Sequence, residues 1–114
     1  MWIMTTYGFF SIVEKPEDRE AHTLTIRTRV REDLESLREQ FLPSLGPIQD
    51  WATSDYRFRA RAWRAAVEAA LVRLTAAIDY DNFKNEVAKT QGYERSRTYS
   101  KVWEVLYGLQ ENGL

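Results

Sequence analysis

Two stretches of the chain alternate apolar residues with arginine and run straight into a helical pattern: Ile26-Arg27-Thr28-Arg29-Val30 and Phe58-Arg59-Ala60-Arg61-Ala62. Side chains alternate faces along a strand, so the apolar members turn to a core while Arg27, Arg29, Arg57, Arg59 and Arg61 share the opposite face. Upstream, residues 2–14 are aromatic, β-branched and Thr-rich, which favours one first strand with a bulge or bend at Gly8. Residues 15–21 are polar, contain Pro16 and lack periodicity, so they predict a solvated loop joining that strand to residues 23–30 in a hairpin. Residues 31–41 then place Leu34, Leu37 and Phe41 at helical spacing, with acids early and Arg38 late as the helix dipole prefers. Pro43 marks the stop.

The second unit repeats the order. Residues 48–52 predict a strand, Thr53-Ser54-Asp55 a turn, and residues 56–62 the returning strand. From 63 to 78, Trp63, Val67, Ala70, Leu71, Leu74 and Ile78 trace one stripe of a helix in which alanines raise the propensity. Asp79-Tyr80-Asp81-Asn82 offers caps ahead of a short helix carrying Phe83 and Val87 and reaching about Thr90. Gly92 is placed to stop it, and a last helix over 95–110 puts Tyr99, Val102, Trp103, Leu106 and Tyr107 on one face. The terminal Glu111-Asn112-Gly113-Leu114 is expected to fray. The order predicts an α+β fold: a four-stranded, largely antiparallel sheet from two β-hairpin-helix units, plus two C-terminal helices. A single domain spans residues 1–114, divided into 1–42, 48–78 and 79–110.

Composition narrows the classes. The 114 residues, 44% of them hydrophobic, suffice for one domain with its own core, and the lack of cysteine removes disulfides, thiolate zinc sites and thiol nucleophiles. The opening residues have no basic stretch and no small-residue cleavage site, and no apolar run approaches the roughly 20 residues a membrane span needs. The expectation is a cytoplasmic protein with no membrane partner. Net charge is -1, so no global field drives binding to nucleic acid. Residues 1–50 hold six Lys/Arg against nine Asp/Glu and residues 51–114 ten against eight, so only local clustering can matter.

Guanidinium groups repeated along adjacent strands suit phosphates, and nearby Tyr or Trp suit stacking on bases, as in sheet-based RNA binders. A solvated face balanced by cross-strand acids such as Glu14 and Asp50, or a face covered by the last helices, gives the same pattern, and the net charge weighs toward these readings. Asp79 and Asp81, with Glu86, offer oxygen ligands to magnesium, but acids at a helix start satisfy free N–H groups and meet the positive dipole end, so helix capping is the favoured reading. His22 is the only histidine and has no evident partner for general-base work. No phosphate-binding glycine loop and no nucleophile elbow occurs. Residues 84–101 carry Lys84, Lys89, Arg95, Arg97 and Lys101 against Glu86 and Glu94, and together with Tyr80, Phe83, Tyr93 and Tyr99 they suit a single strand, an acidic partner or a packed helix pair with solvated lysines. Arg31 and Arg64, near helix starts, can pair with Glu35 and Glu68 four residues on.

Met1-Trp2-Ile3 with Gly8-Phe9-Phe10-Ser11-Ile12-Val13, the Arg27-Thr28-Arg29 strand, and Asp79-Tyr80-Asp81-Asn82-Phe83-Lys84 with Tyr99 and Val102-Trp103 resemble a group of small uncharacterised bacterial proteins. The likeness covers most of the chain, and its most specific part is the Asp-Tyr-Asp-Asn-Phe-Lys segment. It implies a bacterial cytoplasmic origin and a self-contained domain, and it carries over no catalytic role. It also draws interest to Asp79, Tyr80, Asp81, Asn82 and Lys84.

The missing catalytic motifs and the many aromatic residues favour a non-enzymatic module that binds a protein partner or regulates one, since Trp, Tyr and Arg are typical interface anchors. The alternative is a nucleic-acid-binding domain using the arginine face or the basic C-terminal helices. No cofactor and no metal is expected. The candidate binding residues are Arg27, Arg29, Arg57, Arg59, Arg61, Asp79, Tyr80, Asp81, Asn82, Lys84, Tyr99 and Trp103. An exposed strand edge can pair with its twin, so a homodimer stays open.

Overall fold

A computed structural model describes residues 1–111, so the expected fraying of residues 112–114 lies outside the described residues. Among the described residues, the elements run β1 (Trp2–Thr5), β2 (Gly8–Val13), α1 (Pro16–Ala21), β3 (Thr23–Thr28), α2 (Arg31–Gln40), β4 (Gln49–Asp50), β5 (Phe58–Trp63), α3 (Arg64–Ala76), α4 (Phe83–Gln91) and α5 (Tyr93–Glu111). The fold is α+β, and its sheet is antiparallel with the order β1-β2-β3-β5-β4. Two compact units emerge, Met1–Asp79 and a second beginning at Tyr80.

The sheet has five strands rather than four because residues 2–14 fold back on themselves. Thr5 Oγ1 accepts from the N–H groups of Tyr7 and Gly8 at 3.0 and 3.1 Å and donates to Gly8 O at 2.9 Å. One side chain thus holds a tight turn at Thr6-Tyr7, and the expected bend at Gly8 is a reversal. On one face of the sheet Phe10, Ile12, Ile26, Ala60 and Ala62 are buried, as the alternation requires. Leu34 and Leu37 of α2, with Phe41, Leu42 and Leu45 behind it and Val67, Ala70 and Leu74 of α3, complete that core. Each large side chain so buried contributes roughly 1.5–3 kcal/mol.

Residues 15–21 are not a loop. Pro16 begins α1 with its φ preset, and the buried Asp18 carboxylate accepts from the Lys15 N–H at 2.8 Å. His22 then leaves the helix at φ 58°, a left-handed conformation uncommon outside glycine. Such a short helix has no room for a periodic stripe, so its stabilising contacts are side-chain hydrogen bonds that hydropathy does not register. The predicted strand over 48–52 shrinks to Gln49–Asp50, and β5 begins at Phe58. Trp63 ends β5 instead of joining the stripe of α3, and Ile78 lies past the cap at Ala77; both are exposed.

In the second unit Asn82 caps α4, its Oδ1 accepting from Asn85 N at 3.0 Å. Phe83 stacks on Tyr99 with ring centroids 5.9 Å apart, and Ser96 Oγ donates to Lys84 O at 2.9 Å. Helix α5 starts at Tyr93, earlier than its apolar pattern, because Gly92 at φ 97° turns the chain directly from one helix into the next. Of its expected apolar face Tyr99 is buried, whereas Val102, Trp103, Leu106 and Tyr107 are exposed.

Candidate functional site

The second face of the sheet carries Arg27, Arg59 and Arg61 in rows set by strand register, with Arg29 and Arg57 just outside β3 and β5. Trp2 pairs with Ser11, Ser11 with Arg27, Arg27 with Arg59, and Arg59 with Gln49, so these side chains line up across all five strands. Two residues along lies a second row, Val13, Thr25 and Arg61, and beyond it Thr23 opposite Trp63.

The structure separates the five arginines into two kinds. Arg61 Nε donates to Asp18 Oδ1 at 2.8 Å, and its Nη2 reaches Glu17 O and Thr23 Oγ1. Burial penalises the charge on Asp18, but hydrogen bonds from Thr23, the Lys15 N–H, Thr25 and Arg61 outweigh it and hold the carboxyl down at about 2. Arg57 forks onto Asp50 at 2.7 and 3.0 Å, which lowers the Asp50 carboxyl and raises the guanidinium. These two are neutralised.

Arg27, Arg29 and Arg59 are not. Among the described residues none of the three has a carboxylate within ion-pair distance. Arg27 and Arg29 lie over the Tyr56 ring at 4.6 and 4.5 Å from its centroid, and Arg59 over Trp51 at 4.1 Å. Their hydrogen bonds go to neutral acceptors: Arg27 Nη2 to Ser11 Oγ at 2.8 Å, Arg59 Nη2 to Ser54 Oγ at 2.9 Å, Arg29 Nη1 to Asp55 O at 2.6 Å. The Asp55 carboxylate in the same loop instead accepts from Tyr56 N and Ser54 Oγ. Arg27 Nε, Arg59 Nε and the Tyr56 hydroxyl are buried without a hydrogen-bond partner. Each such group costs about 1–3 kcal/mol, and like charges directly opposite on neighbouring strands repel.

Ser11, Trp51, Ser54 and Tyr56 belong to this site and escaped the sequence reading. Tyr56 reads as the start of a strand, yet it sits in the 51–57 loop, which is closed by Trp51 N donating to Arg57 O at 2.7 Å. The interleaving of Trp51, Tyr56 and arginine was the only signal available.

The remaining candidates assemble differently. Lys84 Nζ lies 4.9 Å from the centre of the Trp103 ring, Tyr80 packs on Phe83, and Arg95 donates to the Tyr99 hydroxyl at 3.2 Å. Lys84, Tyr99 and Trp103 are therefore engaged in holding α4 against α5. Asp79 and Asp81 are exposed, and the cap belongs to Asn82. Among the described residues no three His, Asp or Glu side chains gather as a metal site requires. Arg31 pairs with Glu35 as expected, whereas Arg64 reaches Glu14 at 2.7 Å instead of Glu68. No helix among the described residues is long and apolar enough to cross a membrane. Comparisons with family models, curated proteins and solved structures yield no match.

Proposed function

We propose that this protein is a non-enzymatic binding module whose arginine face takes a phosphate-bearing ligand at Arg27, Arg29 and Arg59. The observation that supports this reading is the Arg27–Arg59 pair: two guanidiniums directly opposite across β3 and β5, with no acid beside either. Acids lie nearby, Asp18 on α1 and Asp50 on β4, yet they serve Arg61 and Arg57, so the positive charge left at the centre has no internal counterion. Guanidinium forks match phosphate geometry, and their weak hydration suits them to it. Calorimetric titration with tripolyphosphate at low salt tests the reading. Binding that is lost in Arg27→Gln with Arg59→Gln supports it, and the absence of binding by the intact protein overturns it.

A second reading, a protein partner, is favoured by α5. Trp103, Val105, Leu106 and Leu109 are each at least half exposed on that helix, an apolar surface of the kind that partners cover. Covalent crosslinking in cells with the crosslinker placed at Val105 tests it. Capture of one defined protein supports that reading, and no capture overturns it.

A further inference from the structure

We propose that the ligand of the arginine face is single-stranded nucleic acid, its phosphates on Arg27, Arg29 and Arg59 and its bases on exposed tryptophans; the proposal rests on the phosphate-binding reading above. All four tryptophans are exposed: Trp2, Trp51 and Trp63 at 72%, 52% and 61%, and Trp103 of the second unit at 54%. Tryptophan is highly buried on average, so indoles left in solvent are informative. Trp2, Trp51 and Trp63 belong to the arginine face. Trp2 pairs with Ser11, whose other neighbour is Arg27. Trp63 follows Arg59 and Arg61 at every second residue of β5, and Trp51 lies directly on the Arg59 guanidinium.

The spacing suits an extended chain. Trp2 lies three strands from Arg59, about 14 Å, and Trp63 about 13 Å along β5 from the same residue. Phe9 meets Trp2 edge-on at 5.9 Å and props that ring. A guanidinium centre ringed by separated indoles fits a ligand that alternates negative charge with flat apolar rings. Single-stranded nucleic acid is such a ligand, and stacking accepts any base because every base has a π-face. A duplex keeps its bases stacked internally and offers this face only phosphate. Inorganic phosphate and an acidic peptide leave the tryptophans without a partner.

Intrinsic tryptophan fluorescence of the whole chain tests this, titrated with four probes at low salt. These are an oligothymidylate of about eight nucleotides, within the span that single-strand grooves take, a duplex of equal length, tripolyphosphate and oligoglutamate. The expected result is quenching by the oligothymidylate with affinity about tenfold or more above the other three. Trp2→Ala and Trp63→Ala, both at exposed positions and checked for native circular dichroism, each weaken it about five- to a hundredfold. Tripolyphosphate binding with the oligothymidylate no tighter overturns the proposal and leaves the phosphate reading standing. No binding by any probe overturns both. Oligoglutamate binding as tightly as the oligothymidylate, or tryptophan variants without effect, also overturns the single-strand proposal.

Discussion

The Asp33 carboxylate fills the space that a side chain on Gly8 would need. Asp33 Oδ2 accepts from Phe9 N at 3.0 Å, and a Cβ on Gly8 would lie 2.7 Å from Asp33 Cγ. One contact therefore ties the start of β2 to the first turn of α2, between elements that hydropathy alone would leave to find each other. Gly8 also sits at φ 154°, where L side chains are strained. Gly8→Ala is expected to cost about 2 kcal/mol or more through overpacking and backbone strain. A lowered midpoint of urea unfolding at unchanged slope checks this, and an unchanged midpoint contradicts it.

Asp18 makes stability depend on acid. Its carboxyl is held near 2 in the fold against an ordinary value of 3.8, so its contribution is complete above about pH 4. As pH falls through the folded value near 2 that contribution disappears, and it amounts to roughly 2 kcal/mol. Asp18→Asn is expected to flatten stability between pH 4 and 2 while lowering it at pH 7, since Arg61 loses its acid. Unfolding curves across that range, compared for the two proteins, provide the check.

Periodic elements were legible because their apolar spacing is itself what drives burial. The cores of α2 and α3 follow from Leu34, Leu37, Val67, Ala70 and Leu74, and α4 from Phe83, Val87 and the Asn82 cap. What could not be read depends on polar side chains distant in sequence. Helix α1 is anchored by Asp18, whose partner Arg61 is 43 residues away. The turn at Thr6-Tyr7 rests on one hydroxyl, that of Thr5. Alternation placed Arg27, Arg59 and Arg61 on one face, with Arg29 and Arg57 just outside the strands, but which ones keep an uncompensated charge depends on where α1 and β4 deliver Asp18 and Asp50. The loop that brings Tyr56 over Arg27 and Arg29 has no pattern to announce it.

The Asn82 cap gives the second unit its own test. Its Oδ1 satisfies the Asn85 N–H, one of the donors that a helix start leaves free. Asn82→Ala is expected to cost about 1 kcal/mol, and Asn82→Asp or Asn82→Ser much less. Faster amide hydrogen exchange over the first turn of α4, with the exchange of β3 and β5 unchanged, confirms that the cap acts locally.

Arg27 and Arg59 separate a binding role from a structural one. If the pair served the fold, its removal would destabilise, as loss of the Asp18–Arg61 bridge does. Instead each guanidinium faces a like charge, has a buried Nε–H without a partner, and is held by aromatic rings. Relief of repulsion and of the unsatisfied donor opposes the loss of the cation–π contact, so Arg59→Gln is expected to leave stability within about 1 kcal/mol. Its effect on ligand is different in kind. With three arginines on phosphates, the logarithm of affinity for a single strand is expected to fall against the logarithm of salt with a slope of about -2, at roughly 0.7 per phosphate. Arg59→Gln should reduce that slope by about 0.7 and weaken binding at every salt concentration. Arg57→Gln, which leaves Asp50 unpaired outside the inner cluster, should leave the slope unchanged. Salt titrations of the three proteins decide the matter: equal slopes throughout would place the binding charge elsewhere than on Arg59.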